Sequence, residues 1–428
     1  MQEKKIKFTD VLFVGLAFFA SYFGAGNLIF PPMLGLQSGS NWLSGMIGML
    51  ASGVGLPILA IIVLGMCGSV QKISDHVNKK FYTVMIGAIM ILCCCVSIPR
   101  TAAVGIEMGL QGIWPGAPYL VFVILYFVIA FLFAKDRGTA LDKVGKILTP
   151  IMTIILFILV VKGAVSPIGT PGAASVDNAF VNSFLGGYST GDVLVSFLAA
   201  GVFFDSIKRK GYEGEAFRKA HVRACLIAAV CLAIVYGGLL YMGACVSTEY
   251  TPDSISNANL LLSIIRSSGG QIAIYGLCLS VVLACLTTAI SQITAVADFY
   301  ETATHGKLSY KVLVMIVPIV TTIVASFGLD TIVSLTSPWF SFFYPITLVM
   351  TILGIFEKKI PNDGAFKGAV YFTVIYAVLD LPEYGFGFLD PVLNHIPLYG
   401  LGFGWIVPAI VGFIVGLIAW KGKGRTET

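Results

Sequence analysis

Phe23-Gly24-Ala25-Gly26-Asn27-Leu28 breaks the first apolar stretch of the chain in its middle. From Val11 to Leu36 there is no ionisable residue, a run long enough to cross a bilayer, for which ~20 apolar residues suffice. Gly24 and Gly26 weaken a helix locally, and the Pro31-Pro32 pair removes two backbone donors just beyond. The spacing predicts two half-helices joined by an extended elbow. Unsatisfied N–H and C=O groups are costly in hydrocarbon, so such a break persists only where it faces protein, a cavity or a ligand. The second half-helix would offer N–H groups to an anion, and carbonyls ending the first would suit a cation. The alternative is a kink that only helps packing.

Outward from this stretch, 57% of the residues are hydrophobic and 11% charged, and mean hydropathy is +0.90. A chain of 428 residues with that composition reads as a polytopic membrane protein with room for a dozen spans. Spans are expected near 10–36, 42–66, 81–112, 118–134, 143–164, 180–206, 217–246, 270–300, 308–327, 330–356, 366–381 and 403–420. With a cytoplasmic N-terminus, 24 of the 27 Lys and Arg residues fall in inward segments, which predicts an even number of spans and both termini inside. The charge is spread over short loops, so nucleic acid is not an expected partner. No obligate protein partner is inferred either. Cys93, Cys94 and Cys95 are consecutive, point about 100° apart on a helix, and read as small buried residues rather than metal ligands.

A second interruption falls in the sixth span, at Gly186-Gly187-Tyr188-Ser189-Thr190-Gly191-Asp192. It lies five spans after the first, an odd offset, so the two broken spans cross in opposite directions, as an inverted repeat of five plus five helices requires. The competing reading puts 186–192 in an outer loop. In the eighth span, Ala284 lies three and four residues before Thr287 and Thr288, so all three share a helix face that could hold a small monovalent cation with neutral oxygens. Hydroxyls bonding back to their own helix would explain the same pattern. In the third span Arg100 and Glu107 are seven residues apart, about two turns, and share a face. A buried arginine requires a partner, and Glu107 or Asp192 is the candidate. Asp192 itself is open between capping the following half-helix, contacting a substrate amine and carrying a proton, so Arg100, Glu107 and Asp192 form a gating or proton-linked group. Neither HExxH nor a P-loop occurs, and although Gly187-Tyr-Ser-Thr-Gly191 has the letters of GxSxG, His76, His221, His305 and His395 fall in loops or at span ends, so there is no convergent set for hydrolysis or group transfer. An enzyme and an ATP-driven pump are therefore not expected, and transport driven by an ion gradient remains.

Together, Phe23-Gly-Ala-Gly-Asn27, Ile98-Pro-Arg-Thr-Ala102, Gly187-Tyr-Ser-Thr-Gly-Asp192 and Leu286-Thr-Thr-Ala-Ile290 resemble the bacterial branched-chain amino acid:cation symporters, the BrnQ-type carriers. The resemblance covers essentially the whole chain. It implies the amino acid, polyamine and organocation superfamily and an all-α leucine-transporter fold. Helices one to five would occupy 1–164, six to ten 165–356, and two accessory helices with a cytoplasmic tail 357–428. The implied task is import of leucine, isoleucine and valine across the cell's inner membrane with sodium, and no other cofactor. The implied sodium ligands are the carbonyls of Ala20 and Phe23 with Ala284, Thr287 and Thr288. The substrate carboxylate would meet N–H groups at Ala25 and Gly26, and its ammonium the carbonyls near Phe23 and Gly186, Gly187 and Tyr188. Asn27 matches a ligand of a second sodium site in some relatives. The seventh span has no matching asparagine, so a single sodium is expected, and Asn27 either belongs with the substrate-binding residues of the elbow or simply braces it. Proton coupling or exchange through Asp192 or Glu107, and a channel or receptor scaffold, are the alternatives.

Overall fold

The computed structural model of the protein describes residues 6–135, 153–163, 165–381 and 389–421, and regular structure among them is helical throughout. The first apolar stretch forms α1 (Phe8–Tyr22), stops at Phe23 and Gly24, and resumes as α2 (Ala25–Ser38). Phe23 (φ −76°, ψ 103°) and Gly24 (φ −131°, ψ −167°) are extended, which makes the elbow. Pro31 and Pro32 do not end the second half: they lie inside α2. Lacking N–H groups, they release the carbonyls of Asn27 and Leu28 from the helical ladder.

The chain continues through α3 (Trp42–Leu50), a π-helical turn at Ala51–Gly55 and α4 (Leu56–Cys67). After the short α5 (Val70–Asp75), the third expected span is a composite of α6 (Phe81–Leu92), α7 (Ile98–Val104) and α8 (Gln111–Ile113). Two π segments, Cys93–Ser97 and Gly105–Leu110, join them. Then come α9 (Tyr119–Ala134) and α10 (Thr153–Gly163). The inner half of the fifth expected span, from 143 to 152, lies outside the described residues.

The second interruption separates α11 (Ala179–Tyr188) from α12 (Asp192–Lys208). It is shorter than the sequence implies: Gly186, Gly187 and Tyr188 form the last turn of α11, and the break proper is Ser189 to Gly191. Gly191 has a left-handed backbone (φ +79°), the conformation that glycine adopts without strain. The remaining helices are α13 (Gly214–Ala244), α14 (Asn257–Ala303), α15 (Tyr310–Ala325), α16 (Leu329–Ile355), α17 (Asp363–Asp380), α18 (Asp390–Leu393) and α19 (Ile406–Ala419). α14 turns sharply at Gly270 (φ +65°), so helix also fills part of the loop expected before the eighth span.

Six helical segments among the described residues are long and apolar enough to cross a membrane, one of them Pro338–Ile355 of α16, or up to seven if α15 and the bent-off start of α16, Leu329–Leu335, count as one span. Four more are apolar but shorter: α1, α9, α10 and α19. The π-containing Ala25–Cys67 and Phe81–Ile113 and the interrupted Ala179–Lys208 are among the six, and length alone does not reproduce the twelve expected spans.

Small residues let the helices approach one another closely, the usual packing inside a bilayer. A Cβ at Gly35 of α2 would stand 1.8 Å from the Leu240 carbonyl oxygen, and one at Gly243 of α13 would stand 1.9 Å from that of Pro32. α17 and α19 interlock in the same way through Gly364 and Gly368 against Gly412 and Gly416.

Candidate functional site

The two interruptions meet. Asn27, in the first turn of α2, accepts the Gly24 N–H on Oδ1 (3.1 Å) and donates from Nδ2 to both oxygens of Asp192 (2.9 and 2.8 Å). Asp192 opens α12, so one side chain ties the first break to the second. The Tyr236 hydroxyl, from α13, donates to Asp192 Oδ2 (2.8 Å) and also meets Asn27 Nδ2. One turn further along α12, Ser196 Oγ contacts the Tyr22 hydroxyl (2.9 Å) and donates to the carbonyls of Pro57 and Asp192. Asn27, Asp192, Ser196, Tyr22 and Tyr236 are all at most 2% exposed. A buried carboxylate held by three hydrogen bonds is satisfied without leaving the protein.

Arg100 reaches the same junction from α7. Its Nη1 donates to the Ser189 carbonyl (2.9 Å) and its Nη2 to that of Thr190 (3.4 Å), the two peptide groups freed at the second break. The guanidinium lies over the rings of Phe30 (5.6 Å) and Phe340 (5.3 Å). It also presses on the first break, since a Cβ at Gly26 would stand 2.9 Å from Nη2.

Glu107 is not its partner. Glu107 Oε1 accepts the N–H of Leu329 (2.8 Å), and the side chain lines a separate cavity of about 790 Å³ with Gln111, Tyr119, Asn259 and Arg266. The one-face expectation fails because Glu107 lies within the π segment Gly105–Leu110, whose wider turns shift side chains off the 3.6-residue period.

The carbonyls of Gly186, Gly187 and Tyr188, expected to meet a substrate ammonium, accept instead the N–H groups of Ser189, Thr190 and Gly191 in the closing turn. Gly187 serves packing, because a Cβ there would fall 2.0 Å from Ser52 Oγ. The Tyr188 ring stacks on Tyr344 at 3.7 Å. Asp192 does not cap α12: its side chain points to Asn27 and Tyr236.

Among the cation-site residues, the Gly24 N–H that would bond Ala20 in a continuous helix goes to Asn27, which leaves the Ala20 carbonyl outside the ladder. Phe23 and Ala25 are buried beside it. On α14, Thr287 Oγ1 donates to the Ala284 carbonyl (2.9 Å), and Thr287 and Thr288 are half-buried. α1 packs chiefly on α13, whereas α14 packs on α2, α7 and the π segment after it.

Tyr236, Phe30 and Phe340 complete the junction and were not anticipated. The signal for Tyr236 was a tyrosine deep in an apolar span, whose hydroxyl needs a partner when buried.

The profile of the family described as "Branched-chain amino acid transport protein" matches residues 7–423. The chain belongs to that family. It is a multi-pass membrane transport protein and not an enzyme. It is 33% identical to the branched-chain amino acid permease BraB of Bacillus subtilis over 96% of this chain and 95% of the relative. With the permease BrnQ of Corynebacterium glutamicum it is 32% identical over 97% and 96%. Among solved structures it resembles Mhp1, a nucleobase-cation-symport-1 family transporter, with a TM-score of 0.62 at 10% identity over 96% of this chain and 92% of that one. MhsT, solved in complex with L-phenylalanine, gives 0.55 at 15% identity over 97% and 100%. The transporter therefore shares its helical fold with both.

Proposed function

We propose that the protein is a secondary active transporter that imports leucine, isoleucine and valine by alternating access, coupled to sodium. It lies in the inner membrane with both termini cytoplasmic, as twelve spans: an inverted repeat of 1–164 and 165–356, then the accessory region 357–428. The observation that carries this reading is the buried junction of two interrupted helices, Asn27 to Asp192, in a chain of which the BraB permease relative covers 96%. Broken helices that point peptide groups into the protein interior are how membrane carriers hold a polar solute without exposing backbone to lipid.

The amino acid would lie at the first turn of α2, with its carboxylate at the N–H groups of Ala25 and Gly26. The sodium would be held by the Ala20 and Phe23 carbonyls, Ala284, Thr287 and Thr288. Neutral oxygens suit an ion that must be released each cycle better than carboxylates would. An apolar pocket separates Leu, Ile and Val only modestly, since one methylene is worth about 1–3 kcal/mol.

Uptake of labelled leucine, isoleucine, valine and alanine into proteoliposomes, under separately imposed sodium and proton gradients, tests the proposal. The sodium gradient is expected to drive accumulation of the three branched substrates. Accumulation driven by a pH gradient without sodium would replace sodium with protons and move attention to Asp192. Thr287→Ala with Thr288→Ala is expected to weaken the sodium dependence, and an unchanged dependence would remove those residues from the ion site.

A further inference from the structure

We infer that Arg100 provides the fixed positive charge that receives the α-carboxylate of the transported amino acid. The inference rests on the reading that the protein carries amino acids, and adds to it the residue that selects for the acid group.

Arg100 is 4% exposed and lies within a span, and the Asp192 carboxylate acts on it electrostatically from beyond contact distance. No described side-chain carboxylate lies within 4.0 Å of it. Asp192, the acid of the same junction, is taken up by Asn27 and Tyr236, and Glu107 is bound to Leu329 N at the other cavity. A guanidinium carries five N–H donors. Two are engaged by the carbonyls of Ser189 and Thr190, whereas the buried Nε has no hydrogen-bond partner. Bonding two carbonyls needs donors but not a charge, and a buried charge is costly unless an anion compensates it.

The surroundings select an anion. The guanidinium lies against Gly26 in the first turn of α2, where the helix dipole is positive. Both fields therefore favour negative charge at one place, and glycine at 26 lets a backbone-bound carboxylate touch the arginine. The rings of Phe30 and Phe340 hold the guanidinium plane in position. The neighbouring residue, Asn27, binds Asp192. Consecutive residues of α2 thus stand beside a cation and an anion, a separation matched to an α-amino acid, whose opposite charges sit on adjacent carbons.

Displacement of labelled leucine from the purified full-length protein by leucine, leucinamide and 4-methylpentylamine measures the worth of the carboxylate. Wild type is expected to bind leucine at least about 100-fold more tightly than either analogue, as a site with buried polar groups does. Arg100→Gln is expected to weaken leucine about 100-fold, as removal of one partner of a buried charge pair does, and to bring leucine and leucinamide within a few-fold of each other. Arg100→Lys is expected to keep part of the preference. If Arg100→Gln weakened leucine and leucinamide equally and left their ratio unchanged, Arg100 would be only a brace between the breaks. Should the glutamine variant fail to fold, the wild-type ratio decides: equal affinities for leucine and leucinamide overturn the inference. Wild type that bound none of the three would remove the amino acid reading itself.

Discussion

Asp192 shows what a single residue type leaves open. An acid inside an apolar span has to be neutralised, paired or hydrogen-bonded, and the sequence does not say which. Here hydrogen bonds from Asn27, 165 positions away, and Tyr236, 44 positions away, supply the answer. Tyr236→Phe removes one donor from this buried carboxylate and is expected to cost about 1–3 kcal/mol, read as a lower midpoint of thermal unfolding in detergent. An unchanged midpoint would mean that the hydroxyl contributes nothing. Asp192→Asn keeps the shape but removes the charge, and is expected to abolish uptake while the purified protein stays folded. Arg100 and Glu107 give the complementary lesson. Their spacing suits a pair on an α-helix, but the π segment after Val104 moves Glu107 to another cavity.

At the scale of elements, glycines set where helices stop and how near they come. Gly191 must be left-handed for α11 to end and α12 to begin. Gly191→Ala is therefore expected to cost about 1–2 kcal/mol, with added pressure on the Phe340 ring, 3.0 Å from the new methyl. Gly243→Ala is expected to cost at least as much, about 1–3 kcal/mol or more, because the obstacle is the Pro32 backbone, which cannot rotate away as a side chain can. Gly201→Ala is the control. Nothing lies within 4 Å of its added methyl, and alanine is the better helix former by about 1 kcal/mol. Thermal unfolding midpoints should fall for Gly191→Ala and Gly243→Ala and hold or rise for Gly201→Ala; a uniform loss would contradict the packing described.

Over the whole molecule, the proposed orientation rests on the charge pattern. Glu213, beside the basic loop that opens α13, and Glu249, beyond the end of α13, are both exposed and lie at opposite ends of that 31-residue helix. Glu213→Cys is expected to react with a membrane-impermeant thiol reagent only from the cytoplasmic side, and Glu249→Cys only from outside. The reverse pattern, in right-side-out against inverted vesicles, would invert the topology. The six helices that pass a length test are fewer than the expected spans because α1, α9, α10 and α19 are apolar but short, and because Ala25–Cys67 runs the second half of the first expected span into the second. The breaks at Phe23–Gly24 and Ser189–Gly191 produce the junction of Asn27 with Asp192.

The sequence alone determined that this chain lives in a membrane, that glycine-rich interruptions fall within apolar stretches at 23–28 and 186–192, and that an acid lies in the second of them and an arginine in another apolar stretch. Apolar length, glycine and proline content and charge are local properties, and they act wherever the chain goes. Only the tertiary structure decided which groups meet: Asn27 with Asp192, Arg100 with the carbonyls of Ser189 and Thr190, Tyr236 with both halves. Those contacts join residues tens to hundreds of positions apart, and their partners are fixed by how π turns rotate a helix and by how closely glycines let backbones approach.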